Sequence, residues 1–129
     1  MKQFLFSIIS TFVTFFSYSQ IDSPGCSLFK TGNFAYRDSG TSIIWEITRT
    51  KKKQVEKNNL TGVVIKQKIR WVSDCEYELT HIWTNKKDWR KGNFKSRIYK
   101  ITSVNENIYN FSCDCNDTLQ IHGTVVKMD

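Results

Sequence analysis

Apolar and polar residues take turns along most of this chain, and a two-residue period admits little besides antiparallel strands with one wet and one dry face. From Val63 to Val72 one face carries Val63, Ile65, Ile69 and Trp71, interrupted only by Gln67, while Lys66, Lys68 and Arg70 occupy the other. Cys75 to Thr84 repeats the pattern, with Tyr77, Leu79, His81 and Trp83 set against Glu76, Glu78 and Thr80. Ile43, Trp45 and Ile47 oppose Glu46 and Thr48, and Phe34 shares a face with Tyr36. Residues 96–104 place apolar groups on both faces, 108–114 align Tyr109, Phe111 and Cys113, and 118–127 align Leu119, Ile121, Gly123 and Val125. A short strand over Gln54–Lys57 follows the Lys51–Lys53 turn.

Turn chemistry separates these runs at Asp38-Ser39-Gly40, Asn58-Asn59, Ser73-Asp74, Gly92-Asn93, Asn105-Glu106-Asn107 and Asn116-Asp117. The fold class read from this is all-β, a single-domain antiparallel meander of about eight strands. Closing the meander into a barrel removes exposed edges, so a barrel or half-barrel is the economical topology; a two-sheet sandwich would alternate in the same way.

The N-terminus has a different composition. Lys2, an apolar run from Phe4 to Phe16 and Ser17-Tyr18-Ser19 before Gln20 have the layout of a secretory signal peptide over residues 1–19. That leaves 20–129 as the mature domain and predicts a periplasmic or secreted protein. A retained membrane anchor is the alternative, disfavoured because Asp22, Pro24 and Gly25 follow the run at once without a basic stop-transfer cluster. Lipidation at Cys26 would require the thiol nearer the apolar run.

The formal charge of +7 favours acidic partners. The cations are dispersed over Lys51–Lys53, Lys66/Lys68/Arg70 and Lys86–Lys91, with no compact block of interleaved stacking aromatics, so no nucleic-acid role is expected.

Several motifs resemble a group of uncharacterised small exported proteins from Bacteroidetes with a lipocalin- or calycin-like β-barrel. They are Cys26-x-x-Phe29, Gly32-x-Phe34, Ile47-x-Arg49 and Ile69-x-Trp71-x-x-Asp74-Cys75-Glu76-Tyr77. The resemblance covers roughly residues 26–84. It implies a lipocalin-like barrel and export, and it supplies no activity. Phe34 stands where the lipocalin first-strand motif has tryptophan, and the last strand offers Lys127 in place of an arginine beneath it. A type II topoisomerase label borne by some of the group finds no ATPase module or catalytic tyrosine setting here.

Four cysteines allow three full pairings. Cys26–Cys75 is the favoured bond, closing a loop of about fifty residues worth roughly 3–4 kcal/mol on a chain-entropy model. Cys113 and Cys115 then bond each other or stay free. A metal site from Cys113, Cys115, His81 and His122 lacks the usual Cys-x-x-Cys spacing, and no metal or cofactor is expected.

The inward faces hold Phe34, Tyr36, Trp45, Ile65, Trp71, Tyr77, Trp83, Tyr109 and Phe111. These rings either fill a small barrel or line an apolar cavity with polar tips. The candidate ligand-binding set is Tyr36, Trp45, Gln67, Trp71, His81 and Trp83, for a small apolar or amphipathic ligand. Lys87, Trp89, Arg90 and Lys91 form the candidate surface for an acidic partner, the alternative being a protein-interaction or inhibitor module. Glu76 and Glu78 share a face but read as partners of neighbouring cations, and no nucleophile or phosphate motif is present, so no catalytic role is assigned. A monomer is expected.

Overall fold

The computed structural model describes residues 25–37, 40–91, 95–115 and 120–129. The expected leader over 1–19 and Leu119 lie outside these residues. Eight strands pair in chain order and close on themselves: β1 (Gly32–Arg37), β2 (Ile44–Arg49), β3 (Lys53–Asn58), β4 (Val64–Ser73), β5 (Glu76–Thr84), β6 (Arg97–Asn105), β7 (Ile108–Cys113) and β8 (Ile121–Lys127). Every pairing is antiparallel, and the seam is β1 with β8, Phe34 opposite Lys127 through Tyr36 opposite Val125. The meander read from alternation is thus a closed barrel, and the sandwich alternative is excluded.

Strand parity sends Phe34, Ile47, Ile69, Tyr77, Leu79, Ile101, Tyr109, Phe111 and Val125 inward, where each is buried. The outer surface carries Glu46, Lys57, Lys66, Lys68, Arg70 and Lys100. That is the reverse of a lipid-facing barrel, whose outer band is apolar. Among the described residues no helix is long and apolar enough to cross a membrane.

A 3-10 helix over Cys26–Phe29 stoppers the end of the barrel where β1 begins. Phe29 is fully buried there, its ring edge-on to Tyr109 at 4.9 Å. Three ties hold the stopper. Cys26 is bonded to Cys75 in the β4–β5 turn, the pairing favoured from the sequence. Lys127 donates from Nζ to the Leu28 and Thr31 carbonyls (3.2 and 2.8 Å) with its ammonium 5.2 Å from the Phe34 ring centre. Arg49 donates to the Phe29 carbonyl at 2.7 Å. Gly32, at φ 128°, serves both backbone and packing, since a Cβ there would run into Lys127 Nζ and the Asp129 carboxylate.

The opposite end is formed by the β1–β2, β3–β4, β5–β6 and β7–β8 connections. Asparagines organise what is described of it. Asn58 Oδ1 accepts from the Leu60 and Thr61 amides, Asn59 Oδ1 from Ile44, and Asn85 Oδ1 from Val64. A second 3-10 helix, Lys87–Lys91, lies in the β5–β6 connection. Cys113 and Cys115 are bonded at this rim. Disulfide bonding with no free thiol remaining suits a non-reducing, extracellular-type environment.

One expectation fails in β5. The pairing with β4 runs Trp71–Tyr77, Ile69–Leu79 and Gln67–His81, then jumps to Lys66–Trp83 and Ile65–Thr84. The extra residue, Ile82, is a bulge, and a single inserted residue reverses parity beyond it. Thr84 turns inward and is wholly buried, while Trp83 turns out. Trp83 is 38% exposed and lies between Lys66 Nζ (5.1 Å) and the Arg90 guanidinium (5.4 Å).

Candidate functional site

The barrel interior is not filled. A cavity of about 170 Å³ lies above the stopper, walled by Tyr36, Trp45, Ile47, Leu79, Phe111 and Val125. Its polar side comes from β2, β3 and three tyrosines: Arg49, Gln54, Glu56, Tyr77, Tyr99 and Tyr109. For scale, an apolar cavity of about 150 Å³ in another protein holds one benzene molecule.

Arg49 forms the floor. It is the last residue of β2, on the parity of Trp45 and Ile47, and 2% exposed. Its guanidinium lies 4.8 Å from the Phe34 ring centre, 4.7 Å from Tyr77 and 6.0 Å from both Trp71 and Tyr109. A guanidinium stays protonated in proteins and can only donate, so burying one demands acceptors. Besides the Phe29 carbonyl it reaches Gln54 Oε1 through Nε (2.8 Å) and the Tyr109 hydroxyl (3.1 Å), which in turn shares a hydrogen bond with the Tyr77 hydroxyl (3.1 Å).

Gln54 relays the polarity up its own strand. It is 2% exposed, and its Nε2 donates to Glu56 Oε1 at 2.6 Å. The orientation of its amide follows from chemistry: arginine offers only protons and a carboxylate only lone pairs, so the carbonyl faces Arg49 and the NH₂ faces Glu56. Arg49, Gln54 and Glu56 form a ladder from floor to mid-cavity, on residues that pair across β2 and β3 or follow at a spacing of two.

Burial sets the protonation behaviour. It pushes the Glu56 carboxyl above its usual range, against the opposing pull of the Gln54 amide and the Arg49 charge. It drives the Tyr77 phenol well above its ordinary value, with Tyr109 adding to the rise. Tyr99 is raised for the same reason, with the negative charge of Glu56 contributing. The phenols therefore remain neutral donors and acceptors at physiological pH.

The wall has a side gap. β5 continues to Thr84, but its pairing with β6 stops at Leu79 opposite Arg97. Ile65, Gln67, His81, Trp89, Lys95 and Arg97 surround the hollow left there, about 300 Å³, and it shares Leu79 and Tyr99 with the interior cavity. Beside it Thr80 and Ser96 join their hydroxyls at 2.7 Å.

Of the candidates read from sequence, Tyr36 and Trp45 line the interior cavity. Gln67 and His81 face the side gap, Gln67 also reaching Gln54 Nε2 at 3.5 Å. Burial holds the His81 imidazole below its usual pKa, favouring the neutral ring. Trp71 packs into the floor 4.9 Å from Tyr77 and borders neither hollow. Trp83 is outside, as the bulge dictates. In the second set, Lys86 Nζ lies 4.3 Å above the Trp89 ring, and Trp89 borders the side gap. Arg90 is committed internally, its Nε donating to the Thr84 carbonyl at 2.7 Å. Lys87 is exposed, and Lys91 ends the same helix.

Sequence reasoning missed the ladder. Arg49 is visible only as part of a resemblance and as a residue with the parity of Ile47; Gln54 and Glu56 sit on a strand read from its flanking turn. Among the described residues no group of three or more metal-ligating side chains occurs. No protein-family model matches the chain, and no curated protein or solved structure matches it significantly.

Proposed function

We propose that this protein is a non-enzymatic binding domain that holds a small amphipathic ligand inside the barrel, and that it works in the periplasm or outside the cell. The observation that carries the reading is the interior cavity of about 170 Å³, floored by Arg49, with an apolar wall on one side and one carboxylate among the polar groups of the other. Small-molecule sites combine such apolar walls with a few placed polar groups. Export rests on the leader-like residues 1–19 and the disulfides. The likeness to exported Bacteroidetes barrels is proposed on the motifs quoted above.

Native mass spectrometry of protein purified from its own source tests this. A bound small molecule lost on denaturation, whose return quenches or shifts Trp45 emission, is the expected result. A ligand-free mass together with tryptophan emission unmoved by any small amphiphile counts against it.

The interaction reading draws on the exposed Trp89 stacked under Lys86. Replacing Trp89 and Lys87 by alanine should then remove a captured acidic partner without lowering Tm. Unchanged capture eliminates that version.

A further inference from the structure

The polar groups of the cavity are not equivalent, and their inequality selects a ligand. Arg49 carries a charge, but its three nitrogens donate to Phe29, Gln54 and Tyr109, and rings stack around its plane. It belongs to the floor. Gln54 is spent on both of its neighbours. Glu56 differs: one oxygen accepts from Gln54, and among the described residues the second takes part in no hydrogen bond or ion pair. Among the described residues its one direct partner is a neutral amide, and the Arg49 charge, held beyond Gln54, acts on it without an ion pair, so its burial is only partly compensated.

Its surroundings fit a cation. Tyr36 and Trp45 are opposed across β1 and β2, Trp45 is two residues from Ile47, and Ile47 is paired with Glu56. Tyr99 borders the same cavity from the far wall and feels the Glu56 charge. Aromatic faces about a carboxylate attract ammonium groups, through the ring quadrupole and through direct charge pairing. An anion entering the same space would meet that carboxylate.

We infer that the ligand is a small organic cation, an amine or quaternary ammonium on a body of about one ring, with its nitrogen against the free oxygen of Glu56 and its apolar part among Tyr36, Trp45 and Tyr99. This rests on the ligand-cavity reading above. Lys95 and Arg97 at the side gap are the competing attraction, since they would draw an anion. Lys95 stands exposed to water, where salt screens its field, whereas Glu56 acts within the low-dielectric interior.

Benzylamine, benzyl alcohol and benzoate share a body and differ in charge, and titrating each into the full chain by calorimetry or tryptophan fluorescence decides the matter. The amine should bind at least about tenfold tighter than either other probe, and Glu56→Gln should erase that preference. Circular dichroism and a thermal melt of the variant establish that it folds. Equal or tighter binding of the alcohol or of benzoate by the natural chain overturns the cation assignment and leaves the cavity reading standing. Failure of all three probes to bind overturns both.

Discussion

Arg49→Met removes the floor's charge while keeping roughly its length, and the structure lets the cost be worked. Three hydrogen bonds from a charged donor vanish, at about 1.5–3 kcal/mol each, a gross loss of about 4.5–9 kcal/mol. Part is returned. The guanidinium need no longer be desolvated, an effective penalty of several kcal/mol. Tyr109 keeps Tyr77 as a partner and the Gln54 amide still donates to Glu56, so the Phe29 carbonyl and Gln54 Oε1 are the acceptors left bare. A net destabilisation of about 2–4 kcal/mol follows, a Tm roughly 10–25 °C lower for a domain of this size. Arg49→Lys keeps the charge without the planar fork and should fall between. Urea unfolding followed by tryptophan fluorescence, with disulfides intact, measures both. Should Arg49→Met match or exceed the natural chain with an unchanged circular dichroism spectrum, the guanidinium would be a net burden, and the account of the floor as a hydrogen-bonded keystone would be refuted.

Three further outcomes are expected. Cys26→Ala with Cys75→Ala opens a loop of sequence separation 49 and should cost about 4 kcal/mol by chain entropy, read from the urea midpoint; a loss under about 1 kcal/mol would show the stopper holds without it. Glu56 has a folded pKa raised by burial, so the penalty on its charged form is absent below the ordinary carboxylate pKa and grows as pH rises through the raised value. Glu56→Gln should therefore melt higher than the natural chain at pH 7 and alongside it at pH 4; a lower melt at pH 7 contradicts this. Gly123→Ala puts a methyl 2.6 Å from Phe111 and 2.8 Å from Tyr36, forcing two cavity rings aside. It should cost about 1–3 kcal/mol and weaken binding of any interior ligand, both measurable in one thermal-shift titration.

Legibility varied along the chain for identifiable reasons. β4 was plain because its outward residues are cations and its inward ones are large and apolar. β3 was faint because Gln54, Glu56 and Asn58 face inward, so polar residues occupy both sides and alternation disappears. Trp83 misled because Tyr77, Leu79 and His81 set a period that Ile82 breaks, and nothing in the local sequence marks the break. The bulge becomes visible only when β5 is laid against β4.

Taken alone, the residue order determined the all-β class, the count of about eight strands and the inward face of most strands, and it favoured the Cys26–Cys75 bond among three pairings. Each of these is a matter of short-range periodicity or of a few scarce cysteines. Tertiary structure decided that β8 returns to β1, that pairing of β5 with β6 stops early, and that the interior keeps a hollow with Arg49, Gln54 and Glu56 along one side. Those outcomes depend on the sum of neighbouring volumes and on partners far apart in the chain. A charged side chain at an inward position has the same letter whether it is an error or a site, and only its neighbours can say which.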